Sequence, residues 1–301
     1  MTNPAAAAGD CYSDVMAMDA THVPVGVRAL GLHQNDHLRG PVALAMLAGL
    51  IAVPADADGA GVATVVDGSS LVSRVKLASS TTLASLVGTP KGRTAVVQVG
   101  IRHELRPTSV DQTANLGPFR ARTWAGAVVG GPQDPDEAAA RRAQLVATLP
   151  DPLRRCVVGN SEGEAFFLAV LALLHAQGAL ERPDGPLRLV EAIQFLDRDA
   201  KATRQVVITN GADVVMHNAG RSAAVIVVDG LPDDIADAVS PLLADSSTAR
   251  ERNRRYHGTF CVGALDVPLT IGVPLPRGCA VHVLPEHAAV LVGREPKPRL
   301  L

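Results

Sequence analysis

Asn210-Gly211 falls between two strand-like runs, Gln205 to Asn210 and Ala212 to Asn218. Few residue pairs tolerate the positive backbone φ of a tight hairpin, and Asn-Gly is the most favoured of them, so the two runs pair antiparallel. Asp67-Gly68 repeats the signal between Gly59 to Val66 and Leu71 to Leu77. Further β-patterned runs lie at Val23 to Leu32, Arg93 to Ile101, Ala121 to Val129, Ala223 to Asp229, Thr259 to Ala264, Ala280 to Leu284 and Ala288 to Val292. Hairpin-joined strands with helices inserted between groups predict an α+β chain of mainly antiparallel sheets stacked with helical layers. A regular βαβ winding does not suit this order, and no GxGxxG closes the first strand as a dinucleotide fold would require.

The helices predicted between the strand groups are Pro41 to Val53, Thr82 to Val87, Pro135 to Leu149, Glu162 to Leu180, Pro186 to Leu196 and Asp233 to Leu243. The first and the fourth are apolar on most faces and are expected to be buried. With 47% hydrophobic but only 3% aromatic residues, the core must be built from Val, Leu, Ile and Ala, which disfavours stacking platforms for bases or sugars. A net charge of -2 leaves no surplus of cations for nucleic acid or an anionic membrane. The most apolar stretch, Val42 to Val53, is about 12 residues where a spanning helix needs roughly 20. Residues 1–22 read as an extension lacking a secretory or transit pattern, residues 23–301 as one domain, and the expected location is the cytoplasm.

Isolated chemistry motifs are weak. Cys11, Cys156, Cys261 and Cys279 have no CxxC spacing, so reduced thiols are expected and a zinc site is not. Asp58-Gly-Ala-Gly61 and Gly130-Gly131 lack the ending of a phosphate loop and read as close backbone packing or tight turns. His33 and His37 are four apart but precede Pro41 in what reads as a loop, and His103 beside Glu104 reads as a partly exposed polar residue. Neither HExxH nor GxSxG occurs, and no metal or cofactor is expected.

A series of segments in order carries more information. Ala57-Asp-Gly-Ala-Gly-Val-Ala63, Val99-Gly-Ile-Arg102, Asn115-Leu-Gly-Pro-Phe119, Trp124-Ala-Gly-Ala-Val-Val-Gly130, Asn160-Ser-Glu-Gly-Glu164 and Val207-Ile-Thr-Asn-Gly211 follow one another along the chain. They resemble the Asp-Ser-Ala-Gly, Gly-His-x-Arg, Asn-x-x-Pro-Phe, Ala-His-Asn-Gly, Asp-Thr-Asp-Ser-Glu and Leu-Thr-Asp-Gly segments of the class II glutamine amidotransferases, over about residues 23–230. The resemblance implies the N-terminal-nucleophile fold, a four-layer αββα sandwich. It also implies a terminal Cys thiolate attacking the glutamine amide, an Asn side chain and a Gly N–H stabilising the oxyanion, an Arg for the α-carboxylate and an acid for the α-ammonium. By position Arg102 stands for that Arg, Glu162 for the acid and Gly130 for the oxyanion Gly.

Three positions depart from the pattern. Val129 stands where the oxyanion Asn would be, Gly100 replaces the His before the Arg, and Val25 stands where the nucleophile is expected. Cys11 is the thiol nearest the N-terminus, and cleavage after Asp10 would expose it with its own amine; Thr21 is a weaker candidate. The resemblance is strongest to stand-alone amidotransferase subunits of glutamate-synthase-like complexes, whose partner subunits carry flavin and iron–sulfur chemistry. The expectation is a degenerate subunit without its own nucleophile, structural or binding glutamine or glutamate. An active glutaminase unmasked at Cys11 and an unrelated α/β ligand-binding protein are the alternatives.

Overall fold

The computed structural model describes residues 24–88, 92–101, 115–182, 184–198, 203–239, 247–269, 275–293 and 297–301. The first half runs β1 (Val25–Gly26), β2 (Ala29–Gln34), α1 (Gly40–Met46), β3 (Ile51–Ala52), β4 (Ala57–Val66), β5 (Ser69–Lys76), α2 (Leu83–Val87), β6 (Thr94–Ile101), β7 (Phe119–Ala121) and β8 (Trp124–Gly130). Then follow α3 (Pro135–Thr148), α4 (Asp151–Arg154), α5 (Glu162–Ala176), α6 (Gly185–Asp197), β9 (Arg204–Thr209), β10 (Val214–Ala219) and β11 (Ser222–Asp229). The chain closes with α7 (Asp233–Val239), α8 (Ser247–Arg254), β12 (His257–Leu265), β13 (Cys279–Val283), β14 (Ala289–Val292) and β15 (Arg299–Leu300).

Two sheets carry the molecule. The larger has the order β13-β11-β12-β2-β6-β4-β5 and the smaller β15-β14-β10-β9-β8-β7, and every pairing in both is antiparallel. Because strand side chains alternate, each strand feeds two different cores. Leu30 and Leu32 of β2 pack outward against α1, α2 and α7, whereas Ala29 faces the other sheet. On β9, Val206 and Ile208 pack outward against α3, α5 and α6, whereas Val207 faces inward. A one-residue slip in either strand would exchange these faces, which is what fixes the register. The result is the expected four-layer αββα sandwich.

The layer between the sheets is built almost wholly from Ala and Val, with Met216 and Cys261 among them. Small side chains let the sheets approach closely, and Gly31 marks one such close point. A Cβ there would come 2.6 Å from Val207 and 2.7 Å from Val214, both on the facing sheet. Two glutamines bridge the gap. Gln98 of β6 donates to the Val128 carbonyl and accepts from its N–H, at 3.0 and 3.1 Å. Gln205 of β9 donates to Asn218 and to the Ser222 carbonyl and accepts from the Ala264 N–H.

Several element boundaries differ from the sequence expectation, each for a local reason. The run Val23 to Leu32 is divided: β1 pairs with β3 in a short parallel ladder, and β2 begins after Arg28 and runs to Gln34. The helix expected over Pro41 to Val53 stops at Met46, and a turn at Leu47–Leu50 delivers Ile51 to that ladder; uninterrupted apolarity cannot tell a helix from a buried strand. Asp67 and Gly68 both take positive φ, as the hairpin signal requires, but Asn210-Gly211 lies in a four-residue loop in which Asn210 accepts from Ala212 and Asp213. The charged stretch 250–254 belongs to α8, which is held by Arg252 on Asp36 and by Asn253 on Asp233 rather than by an apolar face. Among the described residues no helix is long and apolar enough to cross a membrane.

Candidate active site

Several of the motif segments meet around the end of β8, whereas Gly211 lies at the far end of β9, against Val65. β8 ends at Gly130, whose φ of +91 is followed by +126 at Gly131, so the chain turns sharply off the sheet. A Cβ at Gly130 would overlap the Thr203 carbonyl oxygen, and Gly131 donates to that oxygen at 3.2 Å. Only glycine fits this approach, which accounts for Gly130 in steric terms. β4 explains the other glycine-rich spot: a Cβ at Gly61 would overlap the Gly117 carbonyl and the Pro118 ring. Asn115 accepts from the Asn160 N–H at 2.6 Å, so the third and fifth motif segments meet.

Ser161 caps α5 by accepting from Glu164 N–H, and this places two glutamates in its first turn. Glu164 is buried and accepts from the N–H groups of Val158 and Gly159 at 2.9 and 2.8 Å, which fastens the preceding loop onto the helix. Burial pushes its carboxyl upward from the ordinary range against these two bonds. Glu162 lies beside Gly131, where an added Cβ would come 3.0 Å from its carboxylate. Both Glu162 oxygens accept from Arg204 Nη2, at 2.8 and 3.0 Å.

Arg204 is 1% exposed and its guanidinium also pairs with Asp197 at the end of α6. It lies flat over Phe166 of α5, 3.9 Å from the ring centroid. Burial raises the carboxyl pKa of both Glu162 and Asp197, opposed by Arg204 and, more weakly, by Arg141. The arrangement is thus a desolvated network of two acids around one stacked guanidinium. It joins β9 to the N-terminus of α5 and the C-terminus of α6.

The remaining expected site residues divide into two groups. Cys11, Thr21, Arg102, His103 and Glu104 lie outside the described residues. Val25 and Val129 are described and buried: Val25 packs with the α1 and α2 layer and Val129 between the sheets. Among the described thiols, burial pushes Cys261 up to about 12 and Cys279 up to about 11, which suits neither for attack at neutral pH. Arg204, Asp197 and the bridging Gln98 were not among the residues expected to form the site. Their partners lie on other elements, and nothing in their local context announces them until the fold brings the partners together.

No protein-family model and no curated protein matches this chain in sequence. Solved structures do match in fold. A glutamine aminotransferase class-II domain protein from Silicibacter pomeroyi superposes with a TM-score of 0.50 at 16% identity, over 91% of this chain and 98% of the other. The glutamine phosphoribosylpyrophosphate amidotransferase of B. subtilis gives 0.51 at 12% identity, and an allosteric regulatory enzyme of purine biosynthesis gives 0.52 at 11%. This is a class II glutamine amidotransferase fold. The chain spans 48% of the length of each of the last two structures and nearly all of the first. Within the amidotransferase fold, the β8 end, the α5 start and the β9 start form one corner, occupied here by Gly130, Glu162 and Arg204.

Proposed function

We propose that this protein is a class II amidotransferase-like subunit that has lost glutamine hydrolysis and serves a glutamate-synthase-like complex in the cytoplasm as a structural component. The observation that carries the reading is the pair of buried valines at the two positions where the chemistry is expected. Val25 has no nucleophilic atom, and Val129 has no donor for an oxyanion; losing one such donor typically costs about 10²–10³ in rate. Gly130 retains the backbone turn of an oxyanion site without the side-chain partner. Arg102 is the remaining candidate anion clamp for glutamine or glutamate, and Glu162, the candidate cation clamp, is engaged by Arg204.

The test combines intact mass, activity and pull-down. The expected chain keeps residues 1–10, releases no ammonia from glutamine, and co-purifies with subunits carrying flavin or iron–sulfur centres. A mature chain beginning at Cys11, with glutaminase activity lost on Cys11→Ala, would overturn the non-hydrolysing assignment. Thermal stabilisation by glutamate that disappears in Arg102→Ala would replace the structural role with a ligand-binding one.

A further inference from the structure

At the far edge of the sandwich the outermost strands, β13 of the larger sheet and β15 of the smaller, leave a cleft between the inner faces of the two sheets. Its volume is about 790 Å³, within the roughly 300–1,000 Å³ range of small-molecule sites. One wall is Val225 and Val227 of β11 with Ala280 and His282 of β13, which pair directly opposite them. The other is Val290 of β14 with Leu300 of β15, again a directly opposed pair. Ala and Val close the middle of the sandwich, but at this edge the space between the two walls is left unfilled. What remains is a slot whose walls are aliphatic, open at the edge, and thick enough for one acyl chain or one ring.

The described titratable groups lining it are Asp229, His257, His282 and Lys297. Asp229 already has a partner in His257, whose Nδ1 stands 2.5 Å from its carboxylate. The Lys297 ammonium and the His282 imidazole are the further donors on this lining. An apolar slot with these donors at its mouth complements a molecule with an apolar body and one acceptor head.

We propose that this cleft binds a small hydrophobic carboxylate, with its apolar body between the Val225–Val227 wall and the Val290–Leu300 wall and its carboxylate at Lys297 and His282. The site is separate from the Gly130 corner and stands whether or not the amidotransferase-like reading does. Its polarity makes a sharp distinction between two probes of equal length, octanoate and octylammonium. Only the first presents its charge to Lys297.

The experiment is displacement of the apolar anion 8-anilinonaphthalene-1-sulfonate by octanoate, followed by fluorescence, with thermal shift as a second readout. Octanoate is expected to displace the probe saturably and to raise Tm, at concentrations at least about tenfold below those at which octylammonium acts. Ala280→Trp fills the slot and is expected to weaken octanoate at least tenfold. Leu300→Glu, at an exposed position, places a like charge on the opposite wall and is expected to do the same without depending on how the edge strand accepts a tryptophan. Lys297→Glu is expected to weaken octanoate by about threefold to fivefold or more, the scale of one exposed ion pair, and to narrow the gap to octylammonium. Absence of saturable displacement, equal action of the two probes, or octanoate affinity unchanged in Leu300→Glu would each overturn the proposal.

Discussion

Replacing Arg204 by Ala tests the buried network directly. In the folded protein the guanidinium is 1% exposed, and the carboxylates of Glu162 and Asp197 are 7% and 10% exposed. Removing the cation strands two desolvated acids, and breaking a buried pair in this way costs about 3–5 kcal/mol, to which loss of the Phe166 stack adds roughly 0.5–2 kcal/mol. At about 2–4 °C per kcal/mol for a domain of this size class, Tm should fall by about 10 °C or more. Glu162→Gln should cost far less, because the amide oxygen still accepts from Arg204 and the like-charge contact with Asp197 disappears.

The pH dependence gives the same experiment a second arm. A carboxyl whose folded pKa is raised binds protons more tightly folded than unfolded, so its contribution to stability declines as pH rises from the ordinary carboxylate range through the raised value. Burial raises both Glu162 and Asp197 despite Arg204, and without the guanidinium they should rise further. The Arg204→Ala penalty should therefore be smaller at pH 5 than at pH 8 in urea melts followed by circular dichroism. A penalty below about 1 kcal/mol, or one that grows on acidification, would refute the account of the network as two acids held by one cation.

Three further outcomes follow from the same physical terms. Gly31→Val should destabilise by at least about 1–3 kcal/mol through overlap with Val207 and Val214, measured by chemical denaturation; a neutral result would mean the sheets are not in contact there. Glu164→Ala strands the Val158 and Gly159 N–H groups and should cost about 1–3 kcal/mol, with faster hydrogen exchange at residues 158–159; unchanged exchange would contradict the bonding. His217 is buried with neither ring nitrogen bonded among the described residues, and burial lowers its pKa from 6.5 to about 4. The unfolded chain then binds the proton more readily, so stability should be full above about pH 6.5 and fall by about 3 kcal/mol as pH drops to 4, a slope that His217→Leu should remove.

What the sequence disclosed, and what it withheld, follows from the range of each interaction. Asp67-Gly68 and the alternation in Val206-Val-Ile208 are local signals, and local geometry answered them with a tight turn and a two-faced strand. Gly61 read as close packing, and the Gly117 carbonyl and Pro118 ring packed over it are the neighbours the reading required. Boundaries failed where apolarity lost its period, as at Met46, and α8 escaped because ion pairs rather than an apolar stripe hold it.

The site shows the limit most clearly. Glu162 was legible through the motif around it, but its partner was not, because Arg204 is 42 residues away and belongs to no motif. A resemblance passes on positions one at a time, whereas the chemistry of a carboxylate depends on which cation it meets. With Arg204 in contact, the same Glu162 that would receive a ligand ammonium becomes a member of an internal salt bridge closing the corner between β9, α5 and α6. Val25 and Val129, at the positions the resemblance assigns to a nucleophile and an oxyanion donor, are likewise buried in the packed layers. On the proposed reading these three separated positions would each hold an interior contact in place of a ligand-facing one, and that common direction supports the proposal of a structural subunit more than any one of them alone.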